Sequence, residues 1–141
     1  MSGAGESTRP ATPADVDALC RALPEVELGV SWGDRPTYKV PAGAKGKGFV
    51  LHRAPHRTAI DPTTGLEYDD LLVVRVPTEA DKVALVASEG PFFTIDHFNG
   101  YNAVLVQTSR LGEITLAELR EVITDAWRTV APTRLLKEFD G

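Results

Sequence analysis

Residues 92–108, FFTIDHFNGYNAVLVQT, constrain the fold more than any other stretch of this chain. The stretch ends in an uninterrupted apolar run, residues 103–106, which is typical of a buried strand. The Asn99-Gly100 pair before that run indicates a loop, and a short strand is expected near residues 92–95. We therefore predict a central strand at residues 103–108, against which the last helix of the chain packs.

Three helices are predicted from their start signals. Thr12-Pro13 supplies a hydroxyl cap followed by proline at the first helical position. Thr78 and Thr115 each begin a pattern of the capping-box kind. The apolar stripes expected to be buried are Ala80, Val83, Ala84 and Ala87 in the second helix, and Leu116, Leu119, Ile123, Ala126, Trp127 and Val130 in the third.

The strands fall between these helices, and most connections have hairpin length. Alternation of apolar and polar residues predicts a half-buried strand at residues 25–32. Shorter strands are predicted at residues 37–40, 49–53 and 71–76. The connection 54–70 is longer than a tight turn needs, so it is either an extended hairpin or a mobile loop.

The order of elements, without regular strand–helix–strand alternation, predicts an α+β fold. We expect a mainly antiparallel sheet of about five to six strands, with three helices covering one face. Residues 13–141 are predicted to form a single domain. Residues 1–12 are small and polar, and they are predicted to be a flexible tail.

Composition excludes several classes of protein. The 141-residue chain has one cysteine, so no internal disulfide forms. Its start lacks the apolar core of a secretory signal, and no apolar run is long enough to span a membrane. We expect a cytoplasmic protein without a membrane partner. The net charge of −5 is unusual for a dedicated nucleic-acid binder.

Charge is unevenly distributed along the chain, however. Residues 35–60 contain six basic residues and no acidic residue, and they include the glycine-rich loop PAGAKGKG. That loop lacks the spacing of a phosphate-binding P-loop. A basic hairpin in an acidic chain indicates contact with a phosphate backbone or with an acidic protein partner. The candidate contact residues are Arg35, Lys39, Lys45, Lys47, Arg53 and Arg57.

Catalysis is not predicted from the few reactive side chains. His52 and His56 would share a helical face, but Pro55 prevents a helix there, so no metal site is expected. Asp96 adjoins His97 in sequence and is poorly placed to orient it. We therefore predict no enzyme and no cofactor. A pocket or base-stacking site near His97, Tyr101 and Arg128 remains an alternative, provided that at least two of them share one concave pocket.

The order of short motifs resembles a known family, and the resemblance covers nearly the whole chain, residues 14–140. The motifs are Ala22-Leu23-Pro24-Glu25-Val26, Ser31-Trp32-Gly33, Tyr38-Lys39-Val40, Lys47-Gly48-Phe49, Phe92-Phe93, His97-Phe98-Asn99-Gly100-Tyr101, Val104-Leu105-Val106, Ala126-Trp127-Arg128, Ala131-Pro132 and Arg134-Leu135. Their succession resembles the MmcQ/YjbR-like family. The resemblance implies a compact α+β domain with a double-wing motif, and DNA binding as its function. The long connection 54–70, and Asn102 where many relatives have proline, depart from the family pattern.

The sequence therefore leaves three candidate functions for this chain. The first is weak DNA binding, with the basic hairpin as a wing. The second is an interaction or adaptor domain for an acidic protein partner. The third is small-molecule binding near His97, Tyr101 and Arg128.

Overall fold

The computed structural model describes residues 8–30, 35–43 and 45–140. The helices are α1 (Pro13–Arg21), α2 (Glu79–Ala87), α3 (Leu116–Val130) and α4 (Thr133–Asp140). The strands are β1 (Glu27–Val30), β2 (Pro36–Val40), β3 (Lys47–Arg53), β4 (Leu71–Arg75) and β5 (Ala103–Gln107). Each strand pairs antiparallel with the next, in the order β1-β2-β3-β4-β5. The predicted α+β fold with a mainly antiparallel sheet is confirmed.

One face of the sheet, called the helix face here, carries the main core. Leu72, Val74, Val104 and Val106 of β4 and β5 are buried there. Helix α3 packs across β3 and β4, and α1 packs on α3. The predicted stripe of α3 is correct, because Leu119, Ile123, Ala126 and Trp127 are all buried. Alternation along the strands sends the residues between these to the opposite face.

The opposite side, called the second face here, carries Leu51, Leu71, Val73 and Leu105. Among the described residues, none of the four α-helices contributes to this cluster. Two segments, 54–70 and 91–102, cover it with Ala59, Tyr68, Phe93, Ile95 and Phe98. The first resembles the predicted extended hairpin, since Ile60 bridges Glu67. The strand predicted at 92–95 is wrong: only Phe93 bridges to Leu105, because the chain turns into the 3-10 helix Asp96–Phe98.

Helix α2 buries a different side from the one its sequence indicates. The predicted apolar stripe of Ala80, Val83, Ala84 and Ala87 is exposed, and Val83 alone is 60% exposed. The buried residue is Lys82, only 7% exposed, whose Nζ donates to the carbonyl oxygens of Phe98 and Tyr101, each at 2.7 Å. Leu85 and Val86, three and four residues further along the same face, pack against the main core, so apolar packing and the two loop carbonyls together orient α2.

Strand β1 and the last helix, α4, also differ from the sequence predictions. Strand β1 is an edge strand paired with β2 alone, so Leu28 and Val30 stay 38% and 72% exposed instead of half-buried. Trp32, predicted on the same strand, lies outside the described residues. Beyond the three helices predicted, residues Thr133–Asp140 form a fourth helix, α4, whose Phe139 ring centre lies 5.0 Å from that of Trp127.

The described part of the predicted flexible tail packs against the domain. Ala11 is buried, and Pro10 forms a β-bridge with Thr115. Arg9 donates to both carboxylate oxygens of Asp15, at 2.7 and 2.8 Å. The tail boundary at residue 12 is therefore wrong for residues 9–12, because this bidentate pair and the burial of Ala11 fix them.

We expect Asp15 to contribute to stability in a pH-dependent way. Its bonds from Arg9 and from the Thr12 amide lower its pKa from 3.8 to about 2, against a burial effect that would raise it. The stabilisation is present above the unfolded pKa and is lost as the pH falls towards 2. Because Arg9 is partly exposed, we expect a contribution of about 1–2 kcal/mol.

Urea unfolding of the wild type and of Asp15→Asn between pH 6 and pH 2.5 tests this expectation. The wild-type advantage should be full at pH 6 and should shrink below pH 4. An advantage that stays constant with pH would contradict the assignment.

None of the helices in the described ranges combines the length and apolarity that crossing a membrane requires.

Candidate nucleic-acid interface

The predicted basic residues divide between the two ends of the β2–β3 hairpin. Strand β3 runs for seven residues from Lys47 to Arg53, a span of roughly 20 Å. Lys45 lies beside Lys47 in the turn, whereas Arg57 follows Arg53 at the far end, where Arg35 precedes β2. The hairpin therefore offers two basic regions instead of one continuous basic tip.

Most cations outside the hairpin form ion pairs. Between described residues, the ion pairs are Arg9–Asp15, Arg21–Asp17, Lys39–Glu27, Arg110–Glu113, Arg128–Asp140 and Arg134–Glu25. Only Lys39 among them comes from the predicted basic set, at a distance of 3.4 Å from Glu27. Within the described residues, Lys45, Lys47, Arg53 and Arg57 have no carboxylate partner.

The acidic residues of the long connection do not neutralise the hairpin. Asp61 accepts a hydrogen bond from the amide of Thr63 within its own turn. Asp70 accepts from the amide and hydroxyl of Ser109, beyond the end of β5. Over the described ranges, Glu67 and Asp69 form no ion pair with a basic residue. The positive charge of the hairpin therefore remains available to an external anion.

A cavity of about 270 Å³ opens on the second face, beside the far end of the hairpin. Its lining residues are Phe49, Leu51, Arg53, Val73, Arg75, His97, Phe98, Tyr101 and Ala103. The titratable groups that line the cavity are two arginines, one histidine and the phenol of Tyr101. No carboxylate lines it. The site is therefore suited to an anion.

Arg53 forms one wall of this cavity. Its Nη2 donates to the Thr58 hydroxyl at 2.7 Å, and its guanidinium lies 5.5 Å from the centre of the Phe98 ring. Its Nη1 is buried and has no hydrogen-bond partner. Burial lowers the pKa of the Arg53 guanidinium, but arginine stays charged at neutral pH.

Aromatic rings build the rim of the same cavity. The rings of Phe98 and Tyr101 meet edge to face with centres 6.0 Å apart, and His97 meets Phe98 similarly at 5.6 Å. Tyr101 is 59% exposed, so its ring is accessible to a ligand. Lys82 fixes the loop that carries these rings through its two bonds to the carbonyls of Phe98 and Tyr101.

The predicted pocket of His97, Tyr101 and Arg128 forms only in part. His97 and Tyr101 share the cavity, which meets the condition that two of the three lie in one pocket. Arg128 does not line it: the side chain pairs with Asp140 and lies 5.0 Å from the Phe139 ring, on α3 and α4. The helix that carries Arg128 packs on the helix face, the other side of the sheet.

Sequence reasoning missed Arg75 and Lys82 as parts of the site. Arg75 alternates with Leu71 and Val73 along β4, so the strand pattern could have placed it on their face. Its Nε donates to the Gly48 carbonyl at 2.8 Å, and the side chain lines the cavity. No comparable signal exists for Lys82, because its partners are backbone carbonyls.

A larger cavity, about 510 Å³, lies elsewhere, between α2 and α3. Its walls carry the acidic residues Asp81, Glu89, Glu113, Glu118, Glu121 and Asp125. A wall of this sign repels phosphate, so this groove is not a candidate for nucleic-acid contact. In the described part of the chain, no three histidine, cysteine or acidic side chains cluster in a way that could hold a metal ion.

Comparison with known proteins places the chain in a family. The YjbR family model matches residues 21–129, so the chain belongs to the YjbR family. Uncharacterised proteins from two strains of Mycobacterium tuberculosis and from Mycobacterium bovis are 45% identical over 84 residues, or 59% of this chain. The matched stretch spans 60% of the length of these relatives.

A solved structure shares the architecture. The crystal structure of a Deinococcus radiodurans protein with a DUF419 domain matches with a TM-score of 0.62, covering 95% of this chain and 91% of that one. The sequence identity is 20%, so this match shows a common fold alone. The relatives therefore establish family and fold, and the site must be interpreted from its own chemistry.

Proposed function

We propose that this YjbR-family domain binds nucleic acid weakly, in a non-enzymatic role. The observation that carries the proposal is the set of cations without a carboxylate partner on and beside the β2–β3 hairpin. These are Lys45, Lys47, Arg53, Arg57 and Arg75.

Phosphate contacts would dominate such an interaction. Four cations are accessible: Lys45, Lys47, Arg57 and Arg75 are all exposed. If each contacts one duplex phosphate, the logarithm of the binding constant falls with the logarithm of salt concentration with a slope of about −3 to −4. The net charge of −5 opposes approach of the strand, which is why the proposed binding is weak. The resemblance to a double-wing motif agrees with a hairpin as the contacting element.

Fluorescence anisotropy with a labelled duplex and a labelled single strand at about 50 mM salt tests the proposal. Lys45→Glu/Lys47→Glu should weaken binding strongly and should reduce the magnitude of the salt slope by about 2. The matched control is Arg120→Glu/Lys137→Glu, which changes the net charge equally at two exposed residues of α3 and α4.

Absence of binding by the wild type at this salt concentration would overturn the proposal. Equal weakening by the two double variants would also overturn it, because net charge alone would then explain the effect.

An acidic protein partner is the second candidate, and the same unpaired cations favour it. Affinity capture from nuclease-treated lysate distinguishes it from nucleic-acid binding. A specific partner that is lost with Lys45→Glu/Lys47→Glu and retained with the control variant supports the adaptor role. An unchanged set of captured proteins contradicts it.

A further inference from the structure

We infer that the cavity on the second face binds a single aromatic ring that carries a phosphate. Two sources share this chemistry: a free mononucleotide, and an unstacked nucleotide within a single strand. The inference rests on the proposed function only for the second source.

Charge is the first reason for this ligand class. In a chain of net charge −5, the cavity is lined by Arg53, Arg75 and His97 and by no carboxylate. An arginine guanidinium matches phosphate oxygens with a planar fork of N–H donors. The arginine nitrogens without a described partner include the buried Nη1 of Arg53.

The situation of Arg53 points to an external anion. A buried or half-buried cation normally has a counterion, because removing charge from water is unfavourable. Arg53 has a hydroxyl partner, Thr58, and an aromatic partner, Phe98, but no carboxylate within the described residues. A phosphate bound by Arg53 supplies the missing negative charge, and Arg75, four residues along β4 from the strand partner of Arg53, adds positive charge to the same cavity.

The ring is indicated by the remaining walls. The floor of the cavity is apolar and consists of Phe49, Leu51 and Val73. The rings of Phe98 and Tyr101, which meet each other edge to face, stand at its border. Base–aromatic stacking is tolerant of base identity, because every base has a π-face. Since ligand pockets usually have volumes of about 300–1,000 Å³, a cavity of about 270 Å³ limits the ligand to one small ring with its phosphate.

The site is held in place before any ligand arrives. The two bonds from Lys82 fix the carbonyls of Phe98 and Tyr101, and Phe98 also lies against the Arg53 guanidinium. Loss of side-chain freedom on binding is therefore confined to the exposed lining residues Arg75, His97 and Tyr101.

Calorimetric and NMR titrations with thymidine 5′-monophosphate, phenyl phosphate, thymidine and inorganic phosphate test the inference on the full chain. Both ring phosphates should bind at least about 10-fold more tightly than thymidine or inorganic phosphate alone, because each of these lacks one half of the recognised chemistry. Arg75→Gln and Arg53→Gln should each weaken phenyl phosphate about 10-fold. Arg120→Gln, exposed on α3, should leave the affinity unchanged.

Arg75→Gln keeps the test informative if Arg53→Gln unfolds, because Arg75 is exposed. No saturable binding of either ring phosphate, or inorganic phosphate binding as tightly as both, overturns the inference. Equal weakening by Arg120→Gln also overturns it.

A labelled oligothymidylate distinguishes the two sources. Binding that thymidine 5′-monophosphate displaces and that Arg75→Gln weakens assigns the cavity to a strand, in agreement with the proposed function. If the mononucleotide binds and neither the oligonucleotide nor duplex DNA does, the inference stands for a free nucleotide while the proposed function fails.

Discussion

Replacing Trp127 with alanine is expected to lower the free energy of unfolding by about 3–5 kcal/mol. Its side chain is fully buried between the helix face and α4, against the Phe139 ring. Its indole Nε1 donates to the Pro24 carbonyl at 3.1 Å, which ties the end of the α1–β1 connection to α3. The change removes both the packing and the hydrogen bond, and it leaves a cavity in the main core. Urea unfolding followed by circular dichroism measures the loss.

Two further variants separate these contributions. Trp127→Phe keeps most of the ring but removes the hydrogen bond, and it should cost less than the alanine variant. Phe139→Ala removes only a partly exposed ring and should cost less still. A loss below about 1 kcal/mol for Trp127→Ala, far under the range for buried aromatic residues, would show that α3 is not the centre of this core.

Replacing Lys82 with methionine is expected to destabilise the fold by about 2–3 kcal/mol and to loosen the loop at the candidate site. Methionine retains an unbranched side chain but leaves the carbonyls of Phe98 and Tyr101 without their shared donor. Each carbonyl left unpaired is unfavourable, while the loss of a buried ammonium offsets part of that effect. Urea unfolding gives the stability, and hydrogen exchange of residues 96–103 gives the local effect.

Val83→Ala is the matched control, because Val83 is the next residue of α2 and is exposed. It should change stability by less than about 0.5 kcal/mol and leave exchange in the loop unaltered. Unchanged exchange in Lys82→Met would mean that the ammonium does not organise the rim of the cavity. Lys82→Met should also weaken binding of phenyl phosphate, because the Phe98 and Tyr101 rings at the rim of the cavity are then less well ordered.

The parts of the fold that sequence could predict are those governed by local rules. The Thr115 capping box is formed, with the Glu118 carboxylate accepting from the Thr115 amide. The apolar run at residues 103–106 is the buried strand β5, and the α3 stripe is buried as predicted. The prediction that this strand is central and lies under the last helix is wrong, because β5 is the last strand of the sheet and α3 packs mainly on β3 and β4. In each case, the residues that decide the structure lie within a few positions of one another.

The features that sequence could not predict depend on distant partners. Helix α2 turns Lys82 inward because two loop carbonyls lie there, although Val83 is the more apolar residue. Residues 9–12 are fixed by Asp15 and by the start of α3. The prediction for residues 92–95 failed because the chain turns at Asp96 after a single bridge.

The same distinction applies to the candidate site. His97 and Tyr101 line the same cavity, as two residues only four positions apart along one loop can. Arg128 was wrongly grouped with them, because its position on the other side of the sheet depends on the packing of α3. Which cations lack a partner is also a tertiary property: Lys39 has a carboxylate partner on the neighbouring strand, whereas Lys45 does not.

We propose that the cations without a carboxylate partner on the hairpin and the second face contact nucleic acid. Amide chemical-shift mapping of the full chain with a short duplex and with oligothymidylate at low salt examines this claim residue by residue. We predict shifts concentrated at residues 39–53, 57, 75 and 97–103, and their loss with Lys45→Glu/Lys47→Glu. Shifts concentrated on α3 and α4, or no shifts with either probe, would contradict the claim.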